Sequence, residues 1–212
     1  MRTDDLIRSL IADRGTPVPS VERQLGIALA AGFAVSAMLF WAMLAPRPDF
    51  AAAAMTLRFD LKIVETLLLA VTAGLLGLRL ARPAAQTRGQ AIALLAAPAL
   101  LLAAIAAELA LLPRDQWMRV LVGSNSLLCL SSIPLLSVPL LGAALYGLRQ
   151  GAPTRPALTG AVAGLLAGGL AATLYAVHCF DDSPLFVATW YGLAIGLVTL
   201  AGAALGPRVL RW

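Results

Sequence analysis

Residues 157–184 read Ala-Leu-Thr-Gly-Ala-Val-Ala-Gly-Leu-Leu-Ala-Gly-Gly-Leu-Ala-Ala-Thr-Leu-Tyr-Ala-Val-His-Cys-Phe-Asp-Asp-Ser-Pro. The run carries no charge before His178, and then His178, Cys179, Asp181 and Asp182 arrive together. An uncharged stretch of roughly 20 residues is long enough to cross about 30 Å of hydrocarbon as a helix. Reactive side chains are therefore concentrated where a membrane helix meets water. The same stretch places Gly160, Gly164 and Gly168 four residues apart, continued by Ala172. Such a stripe of small residues lets another helix approach closely. At 100° per residue, Cys179 falls within about 20° of the direction of Gly168 and Ala172, so it is expected to face a neighbouring helix rather than lipid.

The rest of the chain has the same character. Of 212 residues, 60% are hydrophobic and 13% charged, against about 25% charged in soluble domains. Apolar segments fall near 25–45, 62–80, 90–112, 124–148, 157–179 and 185–206. The fold class expected is all-α: a polytopic membrane bundle of six transmembrane helices preceded by a short amphipathic N-terminal helix. Three regions follow, a head at 1–24, a membrane domain at 25–206 and a tail at 207–212. The first apolar run is too long for a signal-peptide core and is expected to remain as a mature helix. Pro134 and Pro139 should kink the fourth segment, and Pro98 should bend the third. The sixth repeats the glycine pattern with Gly192, Gly196, Gly202 and Gly206.

The net charge of +5 arises from fifteen Arg and one Lys. In a membrane protein such a surplus first reports orientation. With the N-terminus inside, eleven of the sixteen cations fall on the inner side and five on the outer. Both termini are then expected in the cytoplasm of a bacterial inner membrane. Cys129, His178, Cys179, Asp181 and Asp182 gather at the outer face, as do Glu65 and Glu108. No direct nucleic-acid contact is expected.

In the head, Thr3 can cap a helix whose first turn holds Asp4 and Asp5, where negative charge suits the dipole. Leu6, Ile7, Leu10 and Ile11 share one stripe at helical spacing, and Gly15 and Pro17 end it. A helix this short needs a partner for its apolar face. That partner is either the bilayer surface, the protein's own bundle or another protein. Surface-seeking helices favour basic residues and large aromatics. Here three aspartates outnumber two arginines and no aromatic appears, which favours a protein groove.

Cys129 and Cys179 are fifty residues apart, with no finger or CxxC spacing. A helix cysteine is commonly just a small buried hydrophobe. Yet the only two fall at one face of the membrane, in adjacent antiparallel segments. They can bind a soft or borderline metal, with His178, Asp181 and Asp182 as auxiliary ligands, or form a disulfide in an oxidising compartment. No resident cofactor is required, and a thiophilic ion would be transient. No Gly-rich phosphate loop, HExxH or GxSxG appears, so no enzyme is expected. A small six-span transporter or a metal-binding membrane protein is the alternative; the absence of a matching broken helix in a second half speaks against transport.

The sequence resembles the NrsF family, negative regulators of sigma factors of the sigma-F type. The resemblance is carried by Thr3-Asp4-Asp5-Leu6-Ile7, by Pro46-Arg47-Pro48-Asp49, and by Cys129-Leu130-Ser131-Ser132-Ile133-Pro134-Leu135-Leu136-Ser137. It continues through Gly151-Ala152-Pro153-Thr154-Arg155-Pro156-Ala157-Leu158, His178-Cys179 and Asp181-Asp182-Ser183-Pro184-Leu185-Phe186-Val187. It implies a six-span inner-membrane anti-sigma factor that sequesters an extracytoplasmic-function sigma factor. It further implies that Cys129 and Cys179 match the two cysteines tied to sensing oxidising or heavy-metal stress.

Overall fold

The computed structural model describes residues 3–5, 8, 20–83 and 85–211. Among the described residues six helices are long and apolar enough to cross a membrane: α1 (Val21–Met43), α2 (Leu57–Leu80), α3 (Arg88–Leu111), α4 (Ser126–Leu148), α5 (Pro156–Ala176) and α6 (Pro184–Val209). No strand occurs among the described residues. This is the all-α bundle expected. Thr3, Asp4, Asp5 and Arg8 are helical and exposed; Leu6, Ile7, Leu10 and Ile11 lie outside the described residues.

Helix starts differ from the apolar limits because capping, not hydropathy, sets them. Ser20 accepts from the Arg23 amide at 3.3 Å and starts α1 ahead of its apolar run. Thr56 accepts from the Phe59 amide at 3.4 Å and begins α2 at Leu57. The added turns of α2 bring Arg58, Asp60 and Lys62 into the helix. Only Lys62 among these turns inward, and it is 2% exposed.

Helix α5 lies at the centre, against α2, α4 and α6. Its glycine stripe meets α6 backbone to backbone. A Cβ on Gly160 would collide with the Gly202 carbonyl, and one on Gly164 would lie 2.6 Å from the Thr199 Cα. Gly168 is less tight, with Ile195 at 3.1 Å. On α6 the expected stripe is only half used: Gly202 and Gly206 pack on α5, whereas Gly192 and Gly196 face open space. Helix α1 packs on α4, where the Ser36 hydroxyl donates to the Leu136 carbonyl at 2.8 Å between the two prolines. That bond gives a carbonyl in the proline-weakened stretch a partner from outside its own helix. Both prolines sit inside an uninterrupted α4.

Helix α3 is the least embedded of the six. It breaks at Leu95, three residues before Pro98, whose ring displaces the carbonyl of the preceding turn. Between α2, α3 and α6 runs an apolar groove of about 570 Å³ with Glu65 on its wall. Helix α6 opens with a single π-helical stretch, Val187–Tyr191.

Candidate functional site

The end of the bundle carrying both cysteines is built around the turn 177–183, which joins α5 to α6. The α5 helix ends at Ala176, short of the 179 limit expected from hydropathy. Past that point the chain cannot satisfy its own carbonyls, and the rest of the protein supplies donors. Arg47, in the loop after α1, donates its amide to the Val177 carbonyl at 3.1 Å. Its guanidinium donates to the Cys179 carbonyl at 3.2 Å and to Asp182 at 2.9 Å, and grips Asp49 with two bonds of 2.7 and 2.8 Å. The guanidinium carbon also stands 4.7 Å from the centre of the Phe180 ring, a cation–π contact. From α2, the Lys62 ammonium donates to the Cys179 carbonyl at 3.0 Å and to the Asp182 carboxylate.

Two cations and two carboxylates thus form one neutral group, with Asp182 bridging Arg47 and Lys62. The hydrogen bonds to Asp49 hold the Arg47 guanidinium above its ordinary range, against the opposing effect of burial. Reciprocally, Arg47 holds the Asp49 carboxyl below the usual carboxylate value.

Asp181 has a different task. Its carboxylate accepts from the amides of Ser124, at 3.0 Å, and Asn125, at 2.9 Å, directly before α4. Asn125 does not cap the helix with its own side chain, so Asp181 takes that place, where negative charge meets the positive end of the dipole. The turn that presents those amides requires Gly123, whose φ is +60°; a Cβ there would also strike Phe186 and Asp181. Four residues after Asn125, in the first turns of α4, stands Cys129. Glu108, near the end of α3, does the matching service for α6: it accepts from the Ser183 hydroxyl at 2.7 Å and the Leu185 amide at 3.3 Å. His178 donates through Nδ1 to the Ala45 carbonyl at 2.8 Å, which fixes its tautomer. Ala45, with φ 58°, is the left-handed residue that ends α1.

Both thiols are fully buried, not bonded to each other, and members of one apolar cluster. Burial pushes the Cys179 thiol up, while the Lys62 ammonium pulls in the opposite direction. Tyr175 and Tyr191 belong to the same buried cluster, their rings 5.7 Å apart. Neither hydroxyl meets a hydrogen-bond partner.

The residues expected at this end therefore collect there, but in different employment. His178, Asp181 and Asp182 spend their polar atoms on Ala45, on the α4 amides and on the two cations. Among the described residues, no three of His, Cys, Asp and Glu converge as a metal site. Sequence reasoning missed the parts played by Arg47, Lys62, Tyr175 and Tyr191. The one available signal was that the chain's single lysine opens an otherwise apolar run.

The profile of a family described as NrsF, negative regulator of sigma F, matches residues 11–212. A protein of Caulobacter vibrioides named anti-sigma-F factor NrsF is 36% identical, with the whole of both chains covered. A protein of Azospira oryzae named probable anti-sigma-F factor NrsF is also 36% identical over the full length of both. No solved structure matches the chain. A match across nearly all of the six-helix chain, shared with full-length relatives of the same name, shows that this chain belongs to the NrsF family.

Proposed function

We propose that the protein is an anti-sigma factor that holds an extracytoplasmic-function sigma factor inactive at the inner membrane. The N-terminal helix is the docking element, using Leu6, Ile7, Leu10 and Ile11, with Thr3, Asp4 and Asp5 at its start. Release follows when Cys129 and Cys179, on the periplasmic side, react with an oxidant or a heavy-metal ion. Both termini are cytoplasmic in this reading, supported by the arginine distribution.

The observation that carries the sensing half is the coupling of the thiol pocket to the polar turn. Cys179 contributes its sulfur to the pocket and its carbonyl to both Arg47 and Lys62. Chemistry at the sulfur thus pulls on contacts that bind α2 and the α1–α2 loop to the α5–α6 turn. Transmission to the head requires a second arrangement of the bundle that the modified site favours.

The experiment is a transcription reporter for the co-encoded sigma factor, read with and without metal or oxidant. Cys129→Ser and Cys179→Ser should each keep repression and lose induction, and the double variant should behave like either single. Leu6→Asp with Leu10→Asp should abolish repression, because a charge buried without a partner costs several kcal/mol. Full induction with both cysteines replaced would place the signal elsewhere.

A further inference from the structure

We infer that the apolar groove between α2, α3 and α6 binds a single-chain lipophilic primary amine, whose ammonium rests on the Glu65 carboxylate and whose chain lies along α6. The site stands apart from the thiols, and its ligand enters sideways from the bilayer rather than from water.

The starting point is a carboxyl group with no partner. Glu65 is half-buried on the wall of the groove, and among the described residues it takes part in no ion pair. Counted from Leu57, where α2 begins, it lies about 12 Å along the helix axis at 1.5 Å per residue. An ionisable group at that depth is costly unless something meets it. The nearest cations on α2 are already committed, Arg58 to Glu108 and Lys62 to Asp182.

The surroundings of Glu65 define what could meet it. The groove holds about 570 Å³, within the range of small-molecule sites, which are mostly apolar with a few placed polar groups. Its hydroxyls are spent or sealed. Thr66 and Thr199 donate to carbonyls of their own helices at 3.0 and 2.8 Å, and the Tyr191 hydroxyl is shut off from the surface. The groove therefore offers one anionic anchor on an apolar wall. Calcium or magnesium needs about six oxygen ligands, which this wall lacks. A quaternary ammonium calls for an aromatic cage, and among the described residues Tyr191 is the one aromatic lining the groove. A protonated primary amine suits it, because its N–H groups make charge-assisted bonds to a carboxylate and its own hydrocarbon covers the rest. The ammonium of a phospholipid does not reach this depth, since its phosphate would have to follow it into hydrocarbon.

The floor and the far wall fit a slender chain. Gly192 and Gly196, on successive turns of α6, have nothing within 4 Å of the place a Cβ would take. Opposite them, Leu95 and Pro98 bring the break in α3 to the groove. The wall that must give way to a ligand from the side is thus the helix least held by the rest of the bundle.

The test uses the full-length protein in nanodiscs of phosphatidylcholine, a lipid without primary amines. The probe is dodecylamine carrying a diazirine in its chain, with photo-adducts mapped by mass spectrometry. Labelling is expected in the groove, at Leu69 and Leu101, competed by excess dodecylamine and about tenfold less well by uncharged dodecanol. Glu65→Gln should lower groove labelling about tenfold, and Gly196→Leu should abolish it by filling the space. Neither variant should melt earlier than the parent, because Glu65 gives up no ion pair and the new leucine enters open space. Gly192→Leu supplies the same block at a second position if Gly196→Leu does not fold. Groove labelling that survives Glu65→Gln, or that dodecanol competes equally, overturns the inference and leaves a slot for acyl chains only. Labelling spread evenly over the lipid-facing helices also overturns it, as simple partitioning into the bilayer. Neither result bears on repression or on release through the thiols, because no cysteine takes part.

Discussion

The two halves of the α5 environment are held by opposite means. Toward one end, Gly160 and Gly164 lie against Gly202, Gly206 and Thr199 with no side chain between the helices. Toward the other, the turn after Ala176 is held by Arg47, Lys62 and two aspartates, with the thiol pocket beneath. Close packing of backbone has no second arrangement of similar energy, because any separation forfeits dispersion contacts that nothing replaces. A group of charges and hydrogen bonds does, since water or a new partner can take over each lost bond. The fold therefore concentrates rigidity at the glycine end and leaves adjustability at the cysteine end.

That contrast fails first, if it fails, at Gly160. Gly160→Leu must drive α5 and α6 apart, and should cost at least about 3 kcal/mol, read as loss of the folded species in detergent by thermal melting. A stable Gly160→Leu protein would mean that the helices have a second way to pack. Next comes Lys62→Met, which removes a buried cation and leaves Asp182 with Arg47 alone. About 2 kcal/mol is expected, less than for breaking an isolated buried pair, with much of it recovered when Asp182→Asn is added. Asp181→Asn removes the charged cap on α4 and should cost about 1 kcal/mol. It should also loosen the first turn of α4, measured as faster amide exchange at Ser126–Cys129.

The smallest effect belongs to Asp49→Asn, because Asp49 is largely exposed. Its sign with pH is definite. Arg47 lowers the Asp49 pKa from 3.8, so the contribution is present above the ordinary carboxylate range and is lost as pH falls through the lowered value. The difference in melting temperature between parent and Asp49→Asn should exist near neutrality and vanish in strong acid. A difference that persists in acid would assign the contact to packing rather than charge.

The helices and the gathering of the cysteines were legible because both follow from local pattern. Uncharged runs such as 157–177 admit one structure in a bilayer, and antiparallel neighbours bring Cys129 and Cys179 to one end. The ion network was not legible, since charge partners are chosen by tertiary placement: Lys62 meets Asp182 across 120 positions of chain. Glu108 and Asp181 escaped for a related reason. Each caps a helix that it does not belong to, whereas capping signals in sequence are read within three or four residues of the helix start. Gly192 and Gly196 show the converse failure, a correct spacing on a face that no helix covers. In the structure His178 bonds Ala45, Asp181 the amides before α4, and Asp182 both Arg47 and Lys62, engagements that residue type alone does not reveal.

The buried lysine also sets an order of events during biosynthesis. Lys62 enters the membrane with α2, and its counter-charge lies 120 residues further along the chain. At ribosomal speeds of about 5–20 residues per second, that is a wait of roughly 6 to 24 seconds. Through that interval the ammonium sits in the second turn of α2, within reach of the headgroup region by snorkelling. It exchanges lipid phosphate and water for Asp182 only when the α5–α6 turn arrives. The cysteine end of the bundle thus cannot close before the α5–α6 turn has been made.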